Sequence, residues 1–248
     1  MEPQPPVLDP PPAAASRPPR WGLGDFLVGV FGGYALASLV AALWYALSGA
    51  EELSLAGQAV SQVGLWTGMV GASVVASRRK GAGTLAEDFG LRGRWSDIGS
   101  GVVVALAVQL LVLPAIGFLL RPLLGEPEVS GPVEDLLDKA QGLAFAGLIL
   151  SVAVGAPIVE ELFFRGLLLR SLQRRLPDWA AVAVSAVAFG IAHGSALPLD
   201  AVVLVMVSLT VFGAILAVMA IRTGRLGPSI VAHACFNLFT ILYLALTR

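Results

Sequence analysis

Charge is scarce in this 248-residue chain. Asp, Glu, Lys and Arg make up 13 % of it and apolar residues 56 %, against a usual charged share of about 25 %. A soluble domain of this length has to coat its surface with polar groups, so the deficit excludes that class and leaves lipid as the solvent. The charges nearly cancel, at net −1, which removes the electrostatic footprint of a nucleic-acid binder. Cys235 is the single cysteine, so no disulfide forms within the chain. The two lysines, Lys80 and Lys139, both fall between apolar runs, which excludes a retinal-type pigment with its intramembrane Schiff base. No Gly-x-Ser-x-Gly elbow and no His-Glu-x-x-His motif occurs, so neither a serine nucleophile nor a helical zinc signature is visible.

What is present is long apolar runs. A membrane helix needs about 20 mostly apolar residues. Seven stretches qualify: Phe26–Leu47, Ala56–Ala76, Ile98–Leu120, Leu143–Leu169, Trp179–Gly194, Ala201–Ile221 and Leu226–Leu246. The fold class expected is therefore an all-α transmembrane bundle of about seven spans, with lipid as a partner. Eight of the sixteen prolines lie in residues 1–20. Residues 1–22 accordingly read as a disordered tail rather than a signal peptide, and 23–248 as the helical domain. With the N-terminus placed in the cytoplasm, twelve Lys and Arg fall on that side and three, Arg121, Lys139 and Arg248, on the other. The bias favours that orientation. The linker Ser77–Asp97 is basic with an acidic-aromatic Glu87-Asp88-Phe89, and is expected to lie on the headgroups as a solvated connector. Arg121–Gly142 is expected to be an outer loop with a short amphipathic helix.

Three charges stand where charge is expensive. Glu160, Glu161 and Arg165 all sit in the fourth apolar run, and ionised groups in a bilayer core usually mark function. Glu161 and Arg165 are four residues apart and can pair on one helix face. Glu160 lies about 100° away and is the carboxylate that Arg165 neutralises less easily. Pro157 loosens the helix one turn earlier. Both histidines are intramembrane, His193 ending Phe189-x-x-x-His193 and His233 beginning His233-x-x-x-Asn237, with Asn237 the only asparagine. Cys235 points about 200° from His233 and cannot pair with it. Gln58, Ser61 and Gln62 form an i, i+3, i+4 polar stripe on the second helix, read first as helix glue and second as a cavity lining.

Carboxylate, imidazole and carboxamide side chains supply what water attack on an amide requires: a base, oxyanion donors and a proton for the leaving amine. Two histidines and a carboxylate can also hold zinc with an open position for water. If a metal is used, Glu160, His193 and His233 are its ligands; whether the site takes zinc or no cofactor is open at this level. A packing-only network in a non-catalytic immunity or scaffold protein, and a transporter, are the competing readings.

Glu160-Glu161-x-x-x-Arg165, Phe189-x-x-x-His193 and His233-x-x-x-Asn237, in this order, resemble the CPBP intramembrane proteases, which include the type II CAAX prenyl proteases and Abi-like proteins. Pro157 and Leu162-Phe163-Phe164-Arg165-Gly166 also look like that family's first motif. The resemblance covers roughly Ala153–Leu238. It implies an intramembrane endopeptidase acting on hydrophobic or membrane-anchored peptides, with its catalytic core at about 143–248, in a bacterial plasma membrane. It implies Glu160 as the general base with His193 as its partner, His233 and Asn237 as the oxyanion site, and Glu161 and Arg165 as structural support. Helix depths of about 10–17 Å for Glu160, His233 and Asn237 and about 21 Å for His193 lead to the expectation of a cavity reaching these groups from the cytoplasmic side.

Overall fold

A computed structural model describes residues 19–49, 54–127, 129, 131–194 and 199–247. Most of the expected tail, residues 1–18, lies outside the described residues. Seven principal helices follow in order: α1 Leu23–Ser48, α2 Leu55–Lys80, α3 Ser96–Leu124, α4 Leu143–Gln173, α5 Asp178–Ala192, α6 Leu199–Thr223 and α7 Gly227–Leu246. A single turn, Leu85–Asp88, and an amphipathic helix, Gly131–Lys139, lie in the two content-bearing linkers. No strand occurs among the described residues. Among the described residues, six helices are long and apolar enough to cross a membrane. The exception is α5, whose 15 residues reach about 22 Å, short of a hydrocarbon core of about 30 Å. The fifth expected span is therefore a helix, but a short one.

The exterior fits lipid. Phe31, Phe118, Leu119 and Leu143 are each more than two-thirds exposed, and water would penalise so much uncovered apolar surface. Inside lipid, helices gain nothing from hiding apolar surface and associate by close packing. Helices α1 and α2 do so through small residues at four-residue spacing, Gly29, Gly33 and Ala37 against Gly64, Gly68 and Ala72. A Cβ at Gly68 would stand 2.3 Å from the backbone of Gly33, and one at Gly64 3.1 Å from that of Ala37.

One end of the bundle is tied by its linkers. The Arg20 amide donates to the Lys80 carbonyl at 2.6 Å, and Lys80 pairs with Asp25 at 2.7 Å. Arg174 donates to the Trp21 carbonyl, and Arg225 pairs with Asp97. Arg170 donates to Gly224 O at 2.9 Å. The termini assigned to one membrane side by the basic residues are thus gathered at one end. Contrary to the expectation of a solvated connector, Asp88 and Phe89 of the Ser77–Asp97 linker are buried, Phe89 completely. The cause is a bonding opportunity the sequence hides. Asp88 accepts from Trp21 Nε1 at 3.0 Å, Ser77 Oγ at 2.6 Å, Ala82 N at 2.9 Å and Gly83 N at 3.2 Å. Burial opposes its charge, but these bonds outweigh burial and hold its carboxyl below the ordinary range.

The α-helical ladder is not uniform. Residues Leu150–Gly155 and Glu161–Leu169 of α4, and Val108–Val112 of α3, take π-helical hydrogen bonding. Such wide turns are rare and concentrate at functional places. In α4 they flank Pro157, which has no N–H to give the preceding turn.

Candidate active site

The site is built on the π-run of α4. Glu161 and Arg165 have fully buried side chains, with Arg165 Nη1 2.9 Å from Glu161 Oε1. Four residues still bring two side chains onto one face in this wider helix, so the expected pairing is present. An ion pair in such a place has to be held from several directions to repay desolvation. Arg165 Nη2 donates to Gly213 O of α6 at 3.2 Å, and its guanidinium lies 4.2 Å from the Phe189 ring centroid of α5, within cation–π range. A Cβ at Gly213 would come within 3.1 Å of Arg165 Nη2, so the small residue makes room for the cation. His233 of α7 sets Nδ1 3.1 Å from Glu161 Oε1. The buried pair is consequently the junction of α4, α5, α6 and α7.

One residue round the helix, Glu160 faces a different group. Its Oε2 is 3.5 Å from His193 Nε2 and 3.8 Å from His233 Nε2, and makes no hydrogen bond to protein. The tautomers follow from the other ring nitrogens. His193 Nδ1 is 2.8 Å from the Phe189 carbonyl and must carry a proton there, since a carbonyl only accepts. His233 Nδ1, against the Glu161 carboxylate, does the same. In the neutral rings both Nε2 atoms are therefore lone pairs facing a carboxylate oxygen. Three acceptors around one point are a place for a molecule that donates twice, and water is the smallest such molecule. Phe189 packs on both rings, with centroids 4.5 Å from His193 and 5.6 Å from His233, and Phe212 lies 5.6 Å from His233 on another side. The imidazoles are walled by aromatics that fix their orientation. Glu160 and His193 keep part of their side-chain surface, 16 % and 31 %, while Glu160 Oε2 itself is buried.

Asn237 sits one turn beyond His233 but bonds elsewhere. Its Nδ2 donates to the Val152 carbonyl at 2.8 Å. Val152 is five residues before Pro157, the carbonyl that a π-register bond from residue 157 would reach. Cys235 lies outside the site, half-buried against the cluster around Ala105, Val108 and Phe212. The cavity at the basic end, about 180 Å³, is lined by Arg165, Arg170 and Gln173. It reaches Arg165 and not Glu160, unlike the expected cytoplasmic approach. The physical reason is length. Helix α4 continues to Gln173, which puts Glu160 13 residues, or about 20 Å, from that end, close to the 15 residues that separate His193 from the start of α5. Gly213, Phe212, the Val152 carbonyl and Gln109 were not visible as parts of this region in the sequence. Gln109 donates from Nε2 to Phe236 O at 3.2 Å and to Thr240 Oγ1 at 2.6 Å, bracing α7 beside His233. An intramembrane glutamine was the available signal.

A zinc-type centre is compatible in donor chemistry. Both imidazoles have Nδ1 anchored on an oxygen and Nε2 free, the arrangement of metal-bound histidine. As placed, however, no three His, Cys, Asp or Glu side chains among the described residues converge closely enough to hold an ion.

Residues 142–239 match the family described as type II CAAX prenyl endopeptidase Rce1-like. No curated protein and no solved structure matches the chain. The matched segment runs from the start of α4 past Asn237 in α7 and contains Glu160, Glu161, Arg165, His193, His233 and Asn237. The match spans 98 of the 248 residues, and over this segment the chain is similar to the CPBP or CAAX-type membrane endopeptidases.

Proposed function

We propose that the protein is an intramembrane endopeptidase that hydrolyses hydrophobic or membrane-anchored peptides with a water activated by Glu160. The observation that carries this reading is the convergence of Glu160 Oε2 and two imidazole Nε2 atoms within 3.8 Å, with no protein donor between them. A water held there gives one proton to Glu160 as its oxygen attacks the peptide carbonyl. Low local dielectric strengthens the interaction with the charge that develops. His193 keeps the water aligned through its Nε2. His233 serves the oxyanion as an imidazolium: on substrate binding its Nε2 takes one proton from solvent, keeps it through the cycle with the Glu161 carboxylate behind Nδ1, and donates Nε2–H to the oxyanion, with the second amide hydrogen of Asn237 as the other donor. When the carbon–nitrogen bond breaks, Glu160 returns the proton to the leaving amine. Products are a carboxylic acid and an amine, and the site is regenerated.

Zinc held by Glu160, His193 and His233 would supply a Lewis acid and a more acidic water; because the spacing does not meet an ion's needs as it stands, no step here runs through it. The family match supports a CAAX-type substrate, a peptide near its lipidated end. The basic-residue bias supports a cytoplasmic N-terminus.

The test is cleavage of hydrophobic peptides by purified protein in bilayer discs. Glu160→Gln removes the base with little change in shape and is expected to lower the rate at least 100-fold while the melting temperature holds. An active Glu160→Gln protein sinks the role. Activity that survives metal removal, verified by elemental analysis, supports the metal-free form. Loss restored by added zinc transfers the site to metal chemistry. If the wild-type protein cleaves nothing, the non-catalytic immunity or scaffold reading takes its place.

A further inference from the structure

The cavity at the basic end takes no part in the group around Glu160. Its volume is about 180 Å³, and Arg165, Arg170 and Gln173 of α4 line it together with Ala220 and Gly224 of α6. That exceeds what a single water needs, roughly 15 Å³. No carboxylate lines it among the described residues. The π-run of α4 brings the two arginines together. They are five residues apart, which in a regular α-helix separates side chains by about 140°. In the wider ladder five residues make nearly a full turn, and both side chains reach one hollow. Arg165 is almost wholly buried, and its Nε has no hydrogen-bond partner. An orphaned charged donor is expensive and calls for an acceptor from outside the protein.

Positive charge is in surplus here. Arg165 is balanced by Glu161, but Arg170 donates only to Gly224 O, at 2.9 Å. Arg92 lies close enough to repel Arg170, and Asp88 to attract it. The Asp88 oxygens already accept four bonds. Arg174, Arg175 and Arg222 stand exposed at the same end. Asp178, the acid beside them, accepts from Gln173 Nε2 at 2.8 Å. The C-termini of α4 and α6 each add about half a negative charge. Arg92, Arg170, Arg174, Arg175 and Arg222 thus face two acids and two helix ends, which leaves a surplus of about two positive charges.

Depth narrows the ligand. Gln173 ends α4, and Trp179, exposed at the start of α5, marks the headgroup level. Arg170 is three residues inside, about 5 Å, and Arg165 eight, about 12 Å. Phosphate groups are the anions that crowd this level, and basic pockets between membrane helices hold them. A phosphate also turns oxygens to several sides at once, whereas a planar carboxylate meets one fork. That suits donors arriving from Arg170, from the second amide hydrogen of Gln173 and from Arg165 below. We infer that this cavity is a binding site for a phosphate group, with Arg170 and Gln173 at its mouth and Arg165 at its floor. An anionic lipid headgroup and free inorganic phosphate share that chemistry. The inference does not depend on the peptidase reading above.

The experiment uses the full-length protein in discs of phosphatidylcholine and in discs that also contain phosphatidylglycerol. Inorganic phosphate is titrated into the first, and binding is read by calorimetry. Phosphatidylglycerol retained from the second is counted by native mass spectrometry. The expected result is saturable binding in one arm, weakened about tenfold by Arg170→Gln and by Gln173→Leu and unchanged by Arg222→Gln. Binding of inorganic phosphate in phosphatidylcholine discs identifies free phosphate as the ligand. Retention of phosphatidylglycerol without it identifies the headgroup. Arg170→Gln also gives up the bond to Gly224, so Gln173→Leu, which keeps that bond and is expected to melt like the wild type, is the deciding variant. Binding that Gln173→Leu leaves intact, or that Arg222→Gln weakens as much, belongs to the basic surface at large and overturns the site. No binding in either arm leaves the cavity to water and overturns it as well.

Discussion

Asn237 Nδ2 donates to the Val152 carbonyl at 2.8 Å, so the only asparagine of the chain is bonded to the backbone of α4 beside its proline. Pro157 withholds the N–H that this carbonyl would otherwise receive in the π register. The side chain therefore docks α7, and with it His233, onto the distorted stretch of α4 that carries Glu160. Replacing Asn237 by Leu leaves a half-buried carbonyl without this donor and is expected to cost about 1 kcal/mol, read as a lower melting temperature. Pro157→Ala restores an N–H near that carbonyl. The double variant should then recover part of the loss, and strict additivity of the two would show that the two residues do not share this carbonyl.

Arg165 is the second place where stability and site coincide. With Glu161 buried beside it, Arg165→Ala strands an acid inside the bundle, at an expected cost of about 3–5 kcal/mol. Glu161→Gln in the same protein removes the stranded charge and should return much of that. Thermal unfolding in one detergent compares the three. An Arg165→Ala protein as stable as the wild type would mean the pair at 2.9 Å contributes nothing.

Asp88 makes the cap at the basic end sensitive to acid. Its carboxyl is held below its ordinary range, so the folded state binds the proton less readily than the unfolded one. The stability this gives is complete above the ordinary carboxylate value of about 3.9 and is lost as pH falls through the lower folded value. Asp88→Asn should cost about 2 kcal/mol at neutral pH, and the gap between the two proteins should close as the pH drops below about 4. A gap of constant size from pH 7 to pH 3 would contradict the assignment.

The sequence carried the helices and the intramembrane charges for a simple reason: both are violations of the composition around them. Glu160, Glu161, Arg165, His193 and His233 stood out in apolar runs, and the structure brings all five into one region. The Glu161–Arg165 spacing could be read because four residues share a face in either helix type. The rest depended on contacts between distant parts of the chain. Nothing local says that Gly213 accepts from Arg165, or that the Val152 carbonyl receives Asn237. Asp88 and Phe89 looked solvated because their partners, Trp21 and Ser77, lie 67 and 11 residues away. The α1–α2 seam was written in Gly29, Gly33, Gly64 and Gly68, but small residues at that spacing become informative only when the facing helix is known.

Helix α5, with His193 at its end, is about 22 Å long beside neighbours of 23 residues and more. A hydrocarbon slab cannot be flat against walls of such unequal height. Next to this stub the acyl chains must crowd inward, or water must follow the helix end down. Either way the barrier is lowest where His193 stands, which turns the thickness of the surrounding lipid into a variable that acts on the polar cluster itself.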